Sequence, residues 1–198
     1  MKLIGNIVTF DAAGYGEIIW ENEKIGKVVL SGALRDDADW ILPGFIDVHI
    51  HGAGKFNVDA GAPGVEGMAK FLATKGVVRF LPTYSSAPRE EIVAWLRAVR
   101  PLVGREDLGA RVEGFHLEGP WLTVLFAGGM IPGQIRNATP GEAAEFLDAA
   151  QGALKLLTLA PETPGALDII RFLVVNHVIV SLGHTGCPPE FLDEAVTA

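Results

Sequence analysis

Phe45-Ile46-Asp47-Val48-His49-Ile50-His51 alternates apolar and polar side chains with a period of two, the pattern of a β-strand. Asp47, His49 and His51 fall on one face, while Ile46, Val48 and Ile50 fall on the other. The apolar face suits packing on helices, and the polar face looks inward. Imidazoles about 7 Å apart along one face can reach a single metal ion. Two histidines with a carboxylate are typical ligands of Zn²⁺ or a similar divalent cation. The competing reading, a pair of core histidines satisfied by hydrogen bonds, needs three polar groups to converge inside an apolar strand, which is costly.

Outward from this strand, the sequence after Ile41 repeats apolar strand, loop and amphipathic helix. Strands are expected at Phe45–His51, Val77–Pro82, Val112–Glu118, Leu154–Ala160 and Val178–His184. Helices are expected at Gly64–Lys75, Arg89–Val103, Gly141–Ala150 and Ala166–Val175, with another starting near Pro189. Thr139, Pro140 and Glu142 give the third helix a start signal of N-cap, first-turn proline and capping-box glutamate. Strands alternating with single helices mean βαβ units and a parallel sheet. The first forty residues differ: β-like runs at Leu3–Phe10, Gly16–Trp20 and Lys27–Leu30 are separated by Gly, Asp and Asn. Residues 1–42 are therefore read as part of a small β-sandwich and residues 43–198 as the α/β domain.

Each strand of the α/β domain ends in polar residues: His49 and His51, Thr83, Glu118, Glu162 and His184. Parallel α/β proteins carry their chemistry at the carboxyl ends of the strands, barrels above all. Five such strands in succession favour a (β/α)8 TIM-type barrel over a doubly wound sheet, whose signal concentrates at one switch point. Eight units need about 250 residues, but 155 follow Pro43. The barrel is thus expected to be incomplete, with about five βα units and two apolar edges exposed. Either a missing C-terminal half or another chain, as in a homo-oligomer, is expected to complete it.

The net charge of −8 argues against a nucleic-acid or anionic-membrane surface. No run approaches the roughly 18 apolar residues of a membrane span, and the N-terminus is too short and polar for a signal peptide. The single cysteine, Cys187, cannot form an internal disulfide, which fits a reducing compartment. The chain is read as cytoplasmic.

Glu118 is the natural carboxylate ligand of the third strand and shares a face with His116. His116 is open to three roles: a partner behind the ligands, a contact to substrate, or a buried structural histidine. His184 supplies a further nitrogen ligand at the rim, whereas His177, at the opposite strand end, is structural. The glycine-rich stretch Gly128–Gly133 can cradle a phosphate through backbone N–H groups, but lacks the lysine and hydroxyl of a nucleotide P-loop. Thr83 and Glu162 are read as hydrogen-bonding scaffold.

Pro43-Gly44-Phe45-Ile46-Asp47-Val48-His49-Ile50-His51-Gly52 resembles the opening strand of the amidohydrolase superfamily. Gly114-Phe115-His116-Leu117-Glu118-Gly119-Pro120-Trp121-Leu122, Thr158-Leu159-Ala160-Pro161-Glu162 and Val180-Ser181-Leu182-Gly183-His184-Thr185 are similar to the successive signatures of N-acetylglucosamine-6-phosphate deacetylases. Phe80-Leu81-Pro82-Thr83 fits the same family. The resemblance runs in order from about Leu42 to the last residue and corresponds to the family's N-terminal half.

The resemblance implies a β-sandwich with a (β/α)8 barrel that removes the acetyl group of N-acetylglucosamine 6-phosphate, a small phosphorylated amino sugar. By family pattern Glu118 and His184 bind the principal metal, and His49 and His51 hold a second ion in two-metal members. Zinc is expected, with iron or manganese as alternatives. Gly129 and Met130 are expected to lie against the sugar, where the family commonly has a histidine at the position of Met130. The family's next histidine ligand and its proton-transferring aspartate fall beyond Ala198, so this chain alone is expected to be inactive. The rival readings are an amidohydrolase acting on a cyclic amide, although no strand here ends in the lysine it needs, and a non-catalytic remnant stable only as an oligomer.

Overall fold

Short β-branched and aromatic runs bounded by Gly, Asp and Asn fold into an antiparallel meander in the computed structural model, which describes residues 1–198. Strand β1 (Lys2–Val8) pairs with β2 (Ala13–Glu21), and β2 pairs with β3 (Lys24–Gly32). A short β4 (Trp40–Ile41) adds to β1 in parallel. Buried Asn6 ties down the segment before β4: its Nδ2 donates to the carbonyls of Arg35 (2.7 Å) and Ala38 (3.3 Å), and its Oδ1 accepts from the Arg35 amide (2.9 Å). This unit spans Met1–Gly44, ending two residues after the expected boundary at Leu42. It forms one four-stranded sheet in the order β3-β2-β1-β4.

The second unit, Phe45–Ala198, alternates strands with helices as read from the sequence. It opens with β5 (Phe45–Ile50), a small hairpin of β6 (Gly52–Ala53) and β7 (Phe56–Asn57), and α1 (Gly61–Ala73). Next come β8 (Val77–Ser85), α2 (Arg89–Val99), β9 (Arg111–Val112) and β10 (Phe115–Glu118). The chain finishes with α3 (Pro140–Ala150), β11 (Leu154–Leu159), α4 (Ala166–Val175), β12 (Ile179–Leu182) and α5 (Pro189–Thr197).

The main strands lie in the order β12-β11-β10-β8-β5, every pairing parallel, with β9 paired to β8. Each strand thus adds beside its predecessor. A doubly wound sheet would reverse direction at a switch point; this progression is that of a barrel wall. Buried residues of α1 (Val65, Met68), α2 (Trp95, Leu96), α3 (Phe146) and α4 (Leu173) form one core with Phe80, Phe115, Leu117 and Leu157 of the strands. The indole of Trp95 meets its hydrogen-bond requirement at the Val58 carbonyl (2.8 Å).

Several boundaries move, each for a local reason. Helix α2 stops at Val99 and tightens into a 3-10 turn over Arg100–Leu102, because Pro101 lacks the N–H an α-helix would use. The third expected strand breaks at Glu113-Gly114; a Cβ on Gly114 would sit 2.4 Å from the Ala153 carbonyl oxygen. Strand β8 continues past Pro82 to Ser85, while β12 ends at Leu182, leaving His184 in a left-handed turn (φ 51°). The capping signal of α3 is realised: the Thr139 hydroxyl accepts from the Glu142 amide at 3.3 Å, a cap worth about 1 kcal/mol.

The outer face of β5 is not packed on helices, contrary to expectation. Ile46 is 65% and Val48 51% exposed; only Ile50 reaches the core. At the opposite edge Ile179 is 69% exposed. Both edges of the sheet therefore present apolar surface. No helix is long and apolar enough to cross a membrane.

Candidate metal centre

The centre begins with an irregularity in β5. Its register against β8 shifts between Asp47 and Ile50; such a bulge re-aims side chains and frees backbone groups. Polar side chains take up three of them. The His49 amide donates to Asp47 Oδ1 (3.1 Å), the Ile50 amide donates to Thr83 Oγ1 (2.9 Å), and the Val48 carbonyl accepts from His116 Nδ1 (3.1 Å). Asp47 shares its face with His49, but its work is local: it holds the backbone of the bulge.

His49 and His51 then converge, with their Nε2 atoms 3.1 Å apart. Glu118, buried at the end of β10, meets both: Oε1 lies 3.4 Å from His49 Nε2 and Oε2 lies 3.0 Å from His51 Nε2. These three side chains form one compact group, their ligating atoms all within 4.8 Å. His184 joins from beyond β12, placing Nε2 3.0 Å from Glu118 Oε1. Glu118 is thus the common member, with Oε1 between His49 and His184.

Two of the imidazoles have fixed orientations. His51 Nδ1 donates to the Thr83 carbonyl at 2.8 Å, and His184 Nδ1 donates to the Phe126 carbonyl at 2.8 Å. A neutral ring that donates from Nδ1 carries a lone pair on Nε2. Both lone pairs point at the Glu118 carboxylate. Lone pairs and an anion brought this close require a cation among them, either a proton or a metal ion. Ligands at about 2.0–2.1 Å from a tetrahedral ion stand about 3.3 Å apart, and the contacts of 3.0 to 3.4 Å match that edge. The residues present therefore fit a divalent metal.

The ionisation of the group follows. With a proton as that cation, burial pushes the Glu118 carboxyl up, but hydrogen bonds from His51 and His184 and the nearby imidazoles outweigh it and hold it at about 2. His51 is raised, first by its hydrogen bond to Glu118, against the opposing effect of burial.

His116 lies beneath the ligands. It is almost fully buried, and burial, reinforced by His49, lowers its pKa to about 4. The neutral ring donates from Nδ1 to Val48 and accepts at Nε2 from the Thr158 hydroxyl (2.8 Å). Its ring stands edge-on to His49, the centroids 4.8 Å apart. Both nitrogens are bonded inside the protein, an arrangement that suits a position behind His49 and a buried structural histidine alike.

Gly129 and Met130 line a cavity of about 410 Å³ with Asp59, Tyr84, Ser85 and Ser86. Ser85 links this cavity to the centre, its Oγ 3.3 Å from His51 Nδ1. Gly128 passes so close to the metal group that a Cβ would lie 3.2 Å from His184 Cε1. Ser85 lies beyond the strand expected at Val77–Pro82. The signal is there in the alternation of Thr83 and Ser85 along β8. His177 occupies the exposed turn before β12 (φ 61°), away from the centre.

A progressive parallel sheet carrying a histidine pair, a glutamate and a further histidine at its carboxyl rim is the arrangement of an amidohydrolase fold. No family model matches the chain. Among curated proteins it is 37% identical over 151 residues to N-acetylgalactosamine-6-phosphate deacetylase of Escherichia coli O157:H7, covering 76% of this chain and 40% of that protein. It is 33% identical over 188 residues to N-acetylglucosamine-6-phosphate deacetylase of Bacillus subtilis, covering 92% and 48%. The structure of a mutant N-acetyl-D-glucosamine-6-phosphate deacetylase from Mycobacterium smegmatis, in complex with N-acetyl-D-glucosamine-6-phosphate, superposes with a TM-score of 0.85 at 30% identity. That match covers all of this chain and 53% of the other. The chain is a homologue of the N-acetylglucosamine-6-phosphate deacetylases, and it spans about half the length of the curated relatives it matches.

Proposed function

We propose that this chain provides the metal-binding rim of an amide hydrolase that converts N-acetylglucosamine 6-phosphate to glucosamine 6-phosphate and acetate. The observation that carries the reading is the meeting of Nε2 atoms from His49, His51 and His184 on the single carboxylate of Glu118. A divalent ion, when bound, supplies Lewis acidity and a water activated near neutral pH. The nitrogen and oxygen donors suit zinc, with iron or manganese as alternatives. Backbone carbonyls of Thr83 and Phe126 hold His51 and His184 in the tautomer that presents Nε2. Through its two oxygens Glu118 can serve one ion or be shared between two. Gly129 and Met130 form the side of the cavity along which the sugar lies, and His116 supports His49 from below. On this reading the protein is a cytoplasmic enzyme of amino-sugar catabolism.

The same reading makes the complete fold a β-sandwich with a (β/α)8 barrel, its further strands coming from a C-terminal segment or another copy. It also accounts for the proton step. Asp47 is turned to the His49 amide and Glu162 is taken up by three donors, so neither is free to carry a proton from water to the leaving amine. By itself the chain therefore turns over little or nothing. The similarity to the Escherichia coli protein supports N-acetylgalactosamine 6-phosphate as the second substrate to compare.

The test is calorimetric binding of both sugar phosphates to the full chain with and without Zn²⁺, alongside an acetate-release assay. The reading expects zinc-dependent, saturable binding of N-acetylglucosamine 6-phosphate with little release. Binding that ignores zinc contradicts the substrate assignment, and release at ordinary enzyme rates contradicts the inactivity of the isolated chain.

A further inference from the structure

Glu162 stands in the turn after β11, and its carboxylate accepts three hydrogen bonds. The donors are the Thr123 hydroxyl, the Thr185 hydroxyl (2.5 Å) and the Gly186 amide (2.8 Å). All three belong to the two segments that hold His184. Thr185 and Gly186 follow it directly, and the Thr123 amide donates to the His184 carbonyl (3.1 Å). Phe126, whose carbonyl fixes the His184 tautomer, is three residues beyond Thr123.

His184 also needs holding. Its backbone adopts φ 51°, a left-handed conformation that costs a non-glycine residue about 1–3 kcal/mol. It lies past the end of β12, so the sheet ladder does not fix it. Neither segment around it belongs to a strand or an α-helix, and besides the Thr123–His184 backbone bond and the His184–Phe126 bond the Glu162 carboxylate ties the two together.

We propose that Glu162 is a positioning residue: by bridging the Thr123 and Thr185–Gly186 segments it locks the His184 imidazole in the orientation that aims Nε2 at Glu118. The proposal rests on the reading of His184 and Glu118 as metal ligands, and it makes no contact between Glu162 and substrate. Its three hydrogen bonds leave it no part in proton transfer.

The experiment uses the full chain carrying Glu162→Ala, Glu162→Gln or Thr185→Val, with His184→Ala as control. Nitrogen-15 resonances of the His184 ring report the tautomer without metal, and Co²⁺ titration reports affinity. The parent is expected to show a single ring form with Nδ1 protonated toward the Phe126 carbonyl. Glu162→Ala is expected to show a mixture and a Co²⁺ affinity reduced about 10- to 100-fold, the range for partners that orient metal ligands. Glu162→Gln, which keeps an acceptor oxygen, should recover part of both readouts. Parent-like tautomer and affinity in Glu162→Ala overturn the proposal. If that variant fails to fold, the near-isosteric Thr185→Val decides: a tautomer mixture supports the bridge, and a parent-like ring rejects it. Unchanged affinity in His184→Ala counts against the ligand assignment instead, and the metal-free tautomer then judges the bridge alone.

Discussion

His51 Nδ1 donates to the carbonyl oxygen of Thr83 at 2.8 Å, and this bond decides where the other nitrogen of the ring looks. Thr83 serves the bulge a second time, since its hydroxyl accepts from the Ile50 amide at 2.9 Å. Thr83→Val keeps the carbonyl and the volume but strands the Ile50 N–H. A buried donor left unpaired costs about 1–3 kcal/mol. Urea unfolding of the metal-free chain should show that loss; a change within 0.5 kcal/mol, the order typical of inert surface sites, would mean that Thr83 Oγ1 does not hold the bulge.

His116→Phe probes the layer beneath the ligands. The ring volume is kept while the bonds to Val48 and Thr158 disappear. The expected loss is again about 1–3 kcal/mol, together with weaker metal binding, because the Val48 carbonyl of the bulge loses its donor. Zinc titration checks the second effect. Unaltered zinc affinity would confine His116 to the core.

Glu142 anchors the stretch that follows Glu118. Its carboxylate accepts from the Trp121 indole (2.7 Å) and from Arg136 Nε (2.9 Å), and it is almost fully buried. Glu142→Ala leaves the Trp121 indole without its partner, while Arg136 keeps the Ala87 and Gln134 carbonyls, and losing the buried charge-assisted bonds costs about 1.5–3 kcal/mol. Thr139→Ala, which removes the cap of the same helix, should cost about 1 kcal/mol. Equal effects of the two substitutions in thermal unfolding would contradict this division of roles.

The apolar edges give a prediction about association. Ile46 at one edge and Ile179 at the other are each roughly two-thirds exposed, and exposed apolar strands pair with one another. Sedimentation should show association that grows with concentration and weakens in the Ile46→Lys, Ile179→Lys double variant. A parent chain that stays monomeric throughout would remove the edges from consideration.

Much of the fold was legible because period and polarity repeat along the chain. The alternation of Phe45–His51, the capping signal at Thr139 and the polar ends of successive strands all reappear in the parallel sheet. The juxtaposition of His49 and His51 was legible for the same reason, since residues two apart in a strand share a face. What escaped depends on contacts that local pattern does not carry. The bulge of β5 is supported by Thr83 and His116, far off in sequence. Helix α2 ends early because Pro101 removes a donor the helical period does not register. His184 departs from its strand where the bonding changes: the Gly183 amide still reaches the Leu159 carbonyl of β11, but Thr185 and Gly186 bond to Glu162. The exposure of Ile46 and Val48 depends on what lies beyond the strand, which alternation alone cannot tell.

If His49, His51, Glu118 and His184 hold divalent metal, Co²⁺ titration of the metal-free full chain, followed by visible absorption beside the Glu118→Ala variant, will show it. Saturable bands of nitrogen- and oxygen-ligated Co²⁺ are expected in the parent and their loss in Glu118→Ala. A parent without such bands, or a variant that keeps them unchanged, rules the metal centre out.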